Sequence, residues 1–594
     1  MHVIATAGHV DHGKSTLIRA LTGMEPDRWE EERRRGLTID LGFAWTTLPS
    51  GRAVSFVDVP GHQRFLGNTL AGLGPAPVVC FVVAADEGWQ AQSSDHRDAV
   101  AALGIRHGLI VITKTDRTPG HAALAQARTE LAQTGLRDAP AVAVSAVDGV
   151  GLTELRATLD EVLAGVPAPE ATARVRLWVD RCFTITGAGT VVTGTLSAGT
   201  VARGDRLELS GSRSVVVRGL ESCGEPCATI GPVARAALNL RGVAGDEVRR
   251  GDALLTPDAW PSARVLDVRR ATGVALTDAP ERLGVHVGTA AVPARLRPFD
   301  DDHGRLILDR RLPLVLGDRL VLRDPGSRRV LGGALVLDAD PPPLRRRGDS
   351  ARRAGVLAGM SAEGDVSVEV ARRGAVREQH LRRLGLTGTV PEGVRVEGDW
   401  WVHRATFAAW QRRLRTALTE LHTRDPLADG FTRGAAVDLL GLPDAALLDA
   451  VVGDAGLEQA RGHVRLASGR DDLGPAEAAI VDLSERLATE PFRAPEAGEL
   501  AALRLGPREL AAAERAGRVL RLRDGVVLLP SAPALAMRML ARLEQPFTTS
   551  AARQALNTTR RVAIPLLEHL DARGWTRRLD GGHREVVRPG ESGC

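Results

Sequence analysis

The sequence contains no tyrosine, only five cysteines, and lysine at only two positions, Lys14 and Lys114. The nearest cysteines, Cys223 and Cys227, form one C-x3-C with no second pair nearby, which argues against a zinc site and a disulfide framework. No apolar run approaches the ~18 residues needed to cross a membrane. The N-terminus lacks the pattern of a secretory signal. These absences predict a soluble, cytoplasmic protein with no membrane partner.

The composition indicates a folded chain of several domains. It has 594 residues, of which 44% are hydrophobic and 25% charged, and this balance is typical of globular proteins. All 77 basic residues except two are arginine. Because a guanidinium cannot replace a compact ammonium in a tight pocket, the two lysines that remain mark candidate binding sites.

The first lysine lies in the stretch "GHVDHGKS", which fits the phosphate-loop pattern G-x-x-x-x-G-K-[ST]. The apolar stretch "HVIATA" precedes it and the helical stretch "STLIRALTG" follows it, as the motif requires. We expect Lys14 to reach the β and γ phosphates and the Ser15 hydroxyl to hold Mg²⁺. The predicted phosphate-loop contacts are Gly8, His9, Val10, Asp11, His12, Gly13, Lys14, Ser15 and Thr16.

The second lysine lies in "VITKTD", which resembles the guanine-reading N-K-x-D element of GTPases. Asp116 would accept hydrogen bonds from the guanine N1 and N2 groups, which adenine does not offer, and the Lys114 stem would cover the ring. Thr113 replaces the usual asparagine, so we expect a weaker brace to the phosphate loop. In "VAVSAVDG", Ser145 and Ala146 match the backbone contact to guanine O6 in that family.

Two further stretches have the form of nucleotide switches. Thr38 in "RRRGLTID" is placed to ligate Mg²⁺ only when a γ-phosphate is present. In "FVDVPGH", Asp58 would contact Mg²⁺ through water and Gly61 N–H would bind the γ-phosphate. His62 directly follows that glycine, where a water that attacks the phosphate would lie. By itself, however, Asp-x-x-Gly is an ordinary way to leave a strand, and a loop histidine is usually just solvated.

Together, "GHVDHGKS", "RGLTI" and "DVPGH" resemble the translational GTPases. The resemblance implies that His62 is the catalytic residue and that the ribosome triggers hydrolysis. It also implies that Val10 forms part of a hydrophobic gate, which keeps His62 away from the water until the ribosome moves it. The chain is therefore expected to be a GTPase with GTP and Mg²⁺ as cofactors.

The middle of the chain consists of short alternating strands broken by glycine, which predicts β-barrels. We place a GTPase domain at 1–168, a barrel at 172–260 and a second barrel at 262–340. "GAGTVVTGTLSAGTVARGD" and "DRLVLRDPGSRRVLGGALVLDAD" resemble the second and third domains of elongation factors. That order of three domains implies a factor that delivers an aminoacyl-tRNA.

"RGLTIDLGFAW" and "VDRCFTITGAG" resemble the selenocysteine-specific elongation factor family. This resemblance implies that Asp180, Arg181 and Arg235 line a pocket for the amino acid. The chemistry is consistent, because a selenol is ionised at neutral pH and attracts arginine, whereas the serine carried by the precursor tRNA is neutral. The alternative is that these residues are charges on the barrel surface.

"DADPPPLRRRGDSARR" reads as a linker, and a repeat follows it. Helical stretches alternate with small hairpins over glycines at 398, 462, 525 and 582, spaced 64, 63 and 57 residues apart. A period near 60 with helices and a two-stranded wing predicts four tandem winged helices, at 349–405, 406–468, 472–530 and 531–594.

The last unit is basic, with ten Arg against six Asp and Glu. Asn557 or Thr558 is expected to cap its last helix. Pro565 lies just beyond the first turn of that helix, where a proline removes a hydrogen bond and kinks the chain. In the selenocysteine-specific family this unit binds a hairpin in selenoprotein mRNA beyond the UGA codon. The predicted mRNA contacts, any of which could instead belong to a solvated charged face, are Arg560, Arg561, Arg577 and Arg578.

The predicted fold is therefore an α/β P-loop GTPase domain, two β-barrels and four winged helices. The predicted function is GTP-dependent delivery of selenocysteinyl-tRNA to the ribosome at UGA codons marked by an mRNA hairpin, by a monomer. Two alternatives are a general elongation or initiation factor, and a GTP-gated regulator that binds nucleic acid. The winged helices argue against the first, and the two barrels argue against the second.

Overall fold

The computed structural model describes residues 1–26, 38–187, 189–211, 213–425, 427–460, 462–466, 473–580 and 582–587. The chain divides into two compact units. The first consists of Met1–Glu369 and Val376–Pro391, and the second of Val370–Ala375 and Glu392–Cys594.

The first unit opens with a six-stranded sheet in the order β2-β3-β1-β4-β5-β6. The strands pair in parallel except β2, which runs antiparallel to β3. The strands are β1 His2–Ala7, β2 Gly42–Thr47, β3 Ala53–Asp58, β4 Val78–Ala84, β5 His107–Thr113 and β6 Ala141–Ala143. The helices are α1 Lys14–Thr22, α2 Leu66–Leu73, α3 Ala91–Leu103, α4 His121–Leu131 and α5 Leu152–Ala164.

Alternate residues of the central strands pack into different cores, one on each face of the sheet. Val3 and Phe81 belong to one core, and Ile4 and Val82 to the other. Parallel strands covered on both faces are apolar at nearly every position, which is why "HVIATA" and "VVCFVVA" lack a regular polar alternation. Because β1, β3 and β5 run in the same direction, the nucleotide motifs that follow these strands lie at the same edge of the sheet.

The next strands form a closed ring in the order β10-β15-β7-β8-β14-β11, in which β11 also pairs with β10. A core made mostly of valine and leucine side chains fills this first barrel. Its strands and their short neighbours are β7 Arg176–Ile185, β8 Gly189–Leu196, β9 Val201–Ala202, β10 Arg206–Leu209, β11 Arg213–Ser222, β12 Glu225–Cys227, β13 Thr229–Ile230, β14 Ala234–Arg241 and β15 Ala253–Leu255.

A second closed barrel follows, in the order β16-β19-β18-β17-β20-β21. The prediction of two β-barrels after the α/β domain is therefore confirmed. The strands are β16 Ala263–Gly273, β17 Arg282–Val287, β18 Ala290–Pro298, β19 His303–Leu312, β20 Arg319–Arg323 and β21 Val330–Asp338.

The segment interpreted as a linker after the second barrel is only partly a linker. Its end forms α6, Asp349–Ala358, and Arg353 of this helix is buried against the barrel. The Arg353 guanidinium donates to Asp267 and Asp338, each at 2.6 Å. The prediction was wrong there, because the two buried carboxylates of the barrel require cationic partners that the proline and arginine composition does not reveal.

The rest of the first unit and the second unit contain helices followed by hairpins. The helices are α7 Val366–Arg373, α8 Glu378–Arg383, α9 Arg404–Arg424, α10 Arg433–Leu440, α11 Leu447–Asp454, α12 Glu477–Thr489, α13 Ala497–Ala502, α14 Pro507–Arg515, α15 Ala532–Leu540, α16 Thr549–Ala555 and α17 Arg560–Ala572. The strands are β22 Ala375–Arg377, β23 Val394–Glu397, β24 Trp400–His403, β25 Phe431–Thr432, β26 Leu457–Ala460, β27 His463–Leu466, β28 Leu520–Arg521, β29 Val527–Leu528, β30 Phe547–Thr548, β31 Thr576–Arg578 and β32 His583–Val586.

One hydrophobic core in the second unit extends from Leu473 to Leu570. It crosses the boundary predicted between 530 and 531, so the last two repeats share a core. Among the residues that the structure describes, no helix is long and apolar enough to span a membrane.

Candidate functional site

The phosphate loop lies between β1 and α1, where the motif requires it. Gly8 has φ 131°, and a Cβ there would lie 2.1 Å from the Val82 carbonyl oxygen, so only glycine fits against β4. The Lys14 ammonium lies over the loop and donates to the carbonyl oxygens of Gly8 at 3.1 Å and His9 at 2.7 Å. The cation is therefore held where phosphate oxygens would meet it.

Gly61 lies directly against this loop. A Cβ at Gly61 would lie 2.4 Å from Val10 N and 2.6 Å from Lys14 Nζ. The backbone that follows β3 therefore borders the lysine ammonium, and no larger residue fits there. This is the position expected of a glycine whose N–H senses a γ-phosphate.

The proposed Mg²⁺ ligands meet beside the loop. Ser15 Oγ lies 3.1 Å from Thr38 Oγ1 and donates to Asp58 Oδ2 at 2.6 Å, and Thr6 Oγ1 donates to Asp58 Oδ1 at 2.7 Å. Burial raises the pKa of Asp58. The hydroxyl oxygens of Ser15 and Thr38 and the oxygens of the buried Asp58 side chain are the hard ligands that Mg²⁺ prefers, so these residues fit Mg²⁺.

His62 is exposed. Its Nδ1 accepts a hydrogen bond from Arg64 N at 3.1 Å, and its ring lies 6.1 Å from the Phe65 ring. This arrangement leaves Nε2 as the nitrogen that could contact a water. The catalytic role of His62 and the gate role of Val10 stay predictions.

The base-reading stretch follows β5. Lys114 has φ 58° and its Nζ donates to Glu87 Oε1 at 2.7 Å, while Asp116 is exposed. Ser145 is buried; its Oγ donates to Asp148 Oδ2 at 3.1 Å, and the half-buried Ala146 follows it in the same loop. The predicted guanine contacts therefore stand on the loops that leave β5 and β6.

Thr113 does brace the phosphate loop. Its buried hydroxyl donates to the His12 carbonyl oxygen at 2.6 Å. The substitution of the usual asparagine therefore retains one hydrogen bond between the two loops. The effect of Thr113 on guanine affinity stays a prediction.

Two residues of α3 that the sequence did not indicate also hold the phosphate loop. His96 Nδ1 accepts from Gly8 N at 3.0 Å, and Gln92 Oε1 accepts from Val10 N at 3.3 Å. Burial lowers the pKa of His96 well below its ordinary value and lowers the pKa of His12 to about 4, so both imidazoles are neutral at pH 7. No sequence pattern near the loop could have found them, since α3 lies more than 80 residues further on.

The structure brings Arg181 and Arg235 to one pocket, between the first barrel and β2 of the α/β domain. Their Cζ atoms lie 4.6 and 4.0 Å from the centre of the Phe43 ring. The cavity has a volume of about 420 Å³, and its walls include Trp45, Thr193 and Cys223. Phe43 was missed as a pocket residue, although it lies in the stretch that resembles the selenocysteine-specific family.

Asp180 holds Arg235 in position beside this pocket. It forms an ion pair with Arg235 and accepts from Thr193 Oγ1 at 2.6 Å. Burial acts to raise the pKa of Asp180, but the Arg235 guanidinium and the Thr193 hydroxyl outweigh it and keep that pKa below its ordinary value. The carboxylate is thus ionised and fixes Arg235 in place.

The arginines predicted to contact mRNA differ in their surroundings. Arg560 is exposed at the start of α17, whereas Arg561 Nη2 donates to the carbonyl oxygens of Ala494 and Pro495, both at 3.0 Å. Arg577 Nε donates to Glu585 Oε1 at 2.8 Å, and Arg578 Nε to the Asp580 carbonyl oxygen at 3.0 Å. Arg561 is thus engaged with the preceding repeat.

The predicted cap of α17 was wrong. Thr559 is the N-cap residue and its side chain makes no capping bond. The Thr558 hydroxyl instead donates to the Phe492 carbonyl oxygen at 2.6 Å, and Asn557 has φ 44°. The Thr558 side chain, which was expected to cap the helix, therefore packs against the preceding repeat instead. Pro565 lies inside the helix and is buried.

Comparison with known proteins agrees with this geometry. Residues 1–165 match the family model of the elongation factor Tu GTP binding domain. Residues 265–343 match the beta-barrel domain of the selenocysteine-specific elongation factor, and residues 538–584 match the winged helix of elongation factor SelB. With its phosphate loop and switch residues, the chain is a translational GTPase that binds GTP and hydrolyses it.

Comparison with individual proteins identifies the family more narrowly than the domain models do. The selenocysteine-specific elongation factor of Escherichia coli (strain K12) is 33% identical over 618 residues, which cover 98% of both chains. That of Desulfomicrobium baculatum is 34% identical over 401 residues, 64% of this chain and 63% of the relative. A crystal structure of a bacterial selenocysteine-specific elongation factor EF-Sec matches with a TM-score of 0.76 and 26% identity, over 99% of this chain and 100% of that chain. The chain belongs to the family of selenocysteine-specific elongation factors.

Proposed function

We propose that this factor delivers selenocysteinyl-tRNA to the ribosome at UGA codons that an mRNA hairpin marks. The ribosome then triggers GTP hydrolysis. The observation that carries the proposal is the pocket in which Arg181 and Arg235 flank the Phe43 ring. The name of the relatives, selenocysteine-specific elongation factor, supports the same substrate.

The chemistry of the pocket favours a selenolate over a serine hydroxyl. A charge-assisted hydrogen bond from a guanidinium to an anion is about twice as strong as one between neutral groups. Asp180 offsets the charge of Arg235, and Asp40 lies 3.7 Å from Arg181. Arg250 also pairs with Asp40, at 2.6 Å, and Glu221 lines the cavity, so three arginines and three carboxylates in and around the pocket leave it near neutrality before the substrate enters. The selenolate therefore has to be recognised by the directed N–H groups and the partly dry surroundings, not by net charge.

The residues of the chain would hold the nucleotide as follows. The Ser15 and Thr38 hydroxyls would bind Mg²⁺ directly, with Asp58 accepting from its bound water. When bound, Mg²⁺ neutralises charge on the β and γ phosphates. Lys14 binds the same phosphates, Gly61 N–H contacts the γ-phosphate, and the loops after β5 and β6 hold the guanine.

Hydrolysis requires a positioned water. His62 would orient that water once the ribosome moves the imidazole past Val10 into the site. After hydrolysis, Gly61 would lose the γ-phosphate that it contacts, and Thr38 would lose its place on Mg²⁺, which depends on that phosphate. The relaxed switches then release the aminoacyl-tRNA.

The C-terminal region would act as an arm of four winged helices with the boundaries expected above, and the factor would work as a monomer. Arg560, Arg561, Arg577 and Arg578 would contact the mRNA hairpin. Phosphate contacts provide affinity, and an unpaired loop base provides specificity. Tethering at the codon raises the local concentration of the correct tRNA.

The test is the affinity of the protein, loaded with a non-hydrolysable GTP analogue, for one tRNA charged with selenocysteine or with serine. We expect a strong preference for selenocysteine that Arg181→Ala abolishes. Arg249→Ala is a matched control, because it removes an exposed arginine of the same barrel. Equal affinity for the two charged tRNAs would refute the arginine pocket and favour a general elongation factor, whereas no binding of either would favour the nucleic-acid regulator.

A further inference from the structure

Arg250 joins three segments of the first unit. Its Nε donates to the Asp180 carbonyl oxygen at 2.8 Å, its Nη1 to Asn68 Oδ1 at 2.7 Å, and its Nη2 to Asp40 Oδ1 at 2.6 Å. Asn68 lies on α2, the helix that follows the second switch, and its Nδ2 donates to the Ile39 carbonyl oxygen at 2.8 Å. One guanidinium from the barrel therefore contacts the segment that follows Thr38 and the helix that follows the second switch.

Arg181 contacts the same switch segment from the pocket. Its Nη2 donates to the Leu41 carbonyl oxygen and lies 3.7 Å from Asp40 Oδ2. The same side chain lies over the Phe43 ring in the aminoacyl pocket. The position of Arg181 therefore depends on residues 40 and 41, which follow Thr38 by two and three positions.

Thr38 links this segment to the nucleotide. Its hydroxyl lies 3.1 Å from Ser15 Oγ, and only one residue separates Thr38 from Asp40. Because consecutive Cα atoms are about 3.8 Å apart, we infer that a displacement of Thr38 by several ångströms draws Asp40 with it. Departure of Thr38 would therefore break the Arg250–Asp40 ion pair and the two contacts of Arg181 together.

We propose that Arg250, Asp40 and Asn68 form a clamp that positions Arg181 in the aminoacyl pocket only while Thr38 is held in its γ-phosphate-bound place. The clamp makes the affinity for the aminoacyl group depend on the nucleotide. It rests on the proposed function of the pocket and adds the residues that control it. Arg250, Asp40 and Asn68 are positioning residues, since none of them lines the cavity.

Arginine is required at position 250 because the three acceptors lie around one planar fork. A lysine ammonium is a point charge and could not donate to all three acceptors in these directions. We therefore expect Arg250→Lys to behave like Arg250→Ala in coupling, although it retains the positive charge. A purely electrostatic role of Arg250 would be rescued by lysine.

The experiment compares affinities for the charged tRNA with the full-length protein loaded with a non-hydrolysable GTP analogue or with GDP. Wild type, Arg250→Ala, Arg250→Lys, Asp40→Asn and the control Arg249→Ala are measured. We expect the ratio of the two affinities to fall about tenfold in the three clamp variants, because measured couplings between sites are typically 5–150-fold. The loss should lie in the GTP form, with the GDP form and Arg249→Ala unchanged.

Equal losses in both nucleotide forms would show a merely structural role and overturn the clamp, as would an unchanged ratio. A double variant, Arg250→Ala with Asp40→Asn, should lose no more than either single variant if the two residues act as one pair. Additive losses would also contradict the clamp.

The clamp can be tested even if the proposed function fails. The ratio of affinities for a fluorescent GTP analogue and a fluorescent GDP needs no tRNA, and we expect Arg250→Ala to lower it because the clamp stabilises the γ-phosphate-bound position of Thr38. If the wild-type protein binds the selenocysteine-charged and serine-charged tRNAs equally, but Arg250→Ala lowers the ratio of GTP-analogue to GDP affinity, the proposed substrate is wrong and the clamp stands. If selenocysteine is preferred and neither ratio changes, the clamp is wrong and the substrate stands.

Discussion

The Arg235 guanidinium lies over the Phe43 ring, with its Cζ 4.0 Å from the ring centre. The arginine comes from β14 of the first barrel and the phenylalanine from β2 of the α/β domain. The candidate aminoacyl pocket is therefore complete only when these two domains are in contact. The geometry ties recognition of the amino acid to the domain that binds GTP.

Replacing Phe43 by leucine should weaken binding of selenocysteinyl-tRNA by roughly 5–30-fold, since a guanidinium over an aromatic face contributes about 1–2 kcal/mol when partly desolvated. Phe43→Tyr keeps the aromatic face and should retain most of the affinity. The measurement is equilibrium binding in the GTP-analogue form. Equal losses in the two variants would show that the ring acts by its size and not as an aromatic face.

Thr113→Val should lower the affinity for GTP and GDP alike by roughly 2–13-fold, because an isosteric side chain loses the hydrogen bond to the His12 carbonyl oxygen, which contributes about 0.5–1.5 kcal/mol. Thr113→Ser keeps the hydroxyl and serves as the control. Titration of a fluorescent nucleotide measures both. An affinity that valine leaves intact would mean that the brace between the two loops has no role in binding.

His62→Ala should lower the ribosome-stimulated rate of GTP hydrolysis by about 10²–10⁴-fold, the usual contribution of a group that positions or deprotonates a reactant. The affinity for GTP should not change, because His62 is exposed and bonded only to Arg64 N among the contacts described above. Single-turnover hydrolysis with and without ribosomes measures the effect. A drop in GTP affinity of similar size would place His62 in binding instead of catalysis.

Acid should destabilise the nucleotide site through its buried histidines. Burial lowers the pKa of His12 to about 4 and that of His96 well below its usual value, while both are near 6.5 in an unfolded chain. Groups with a lowered pKa in the folded state contribute stability above pH 6.5 that is lost as pH falls toward the folded pKa. Denaturant-induced release of bound fluorescent GDP, followed from pH 7.5 to 5, measures this loss.

His96→Asn provides the control for that pH dependence. An asparagine carries no titrating group. Its side-chain oxygen could accept the hydrogen bond that Gly8 N–H now donates to His96 Nδ1. We expect the stability of the variant to fall less steeply with acid than that of wild type. An equally steep fall would assign the pH dependence to groups other than His96.

Arg560→Ala should weaken binding to the mRNA hairpin and reduce the salt dependence by about one phosphate contact. Arg577→Ala should have a smaller effect, because Arg577 is paired with Glu585. Glu585→Gln frees that arginine and should strengthen binding at low salt. Filter binding over a range of salt concentrations tests all three, and equal effects of the two alanine variants would show that the Glu585 pair is broken in the complex.

The sequence by itself determined the local framework of the candidate nucleotide site, because its motifs are local. A strand, a glycine turn and a helix N-terminus are specified by adjacent residues, so the phosphate loop from Gly8 to Ser15 and the strand that ends at Asp58 were read correctly. The two closed barrels were also predicted, since alternating strands broken by glycine leave few other folds. The approximate repeat of helices and hairpins has the same local origin.

Only the tertiary structure decided which side chains meet across long separations in the chain. Phe43 under Arg235, Thr113 on the His12 carbonyl, Arg353 on two buried aspartates and Arg250 between the switches all join residues far apart in sequence. Such contacts follow from packing and from the need of buried polar groups for partners, and neither leaves a periodic signal along the chain. For the same reason the capping prediction failed at Thr558, whose hydroxyl the preceding repeat engages.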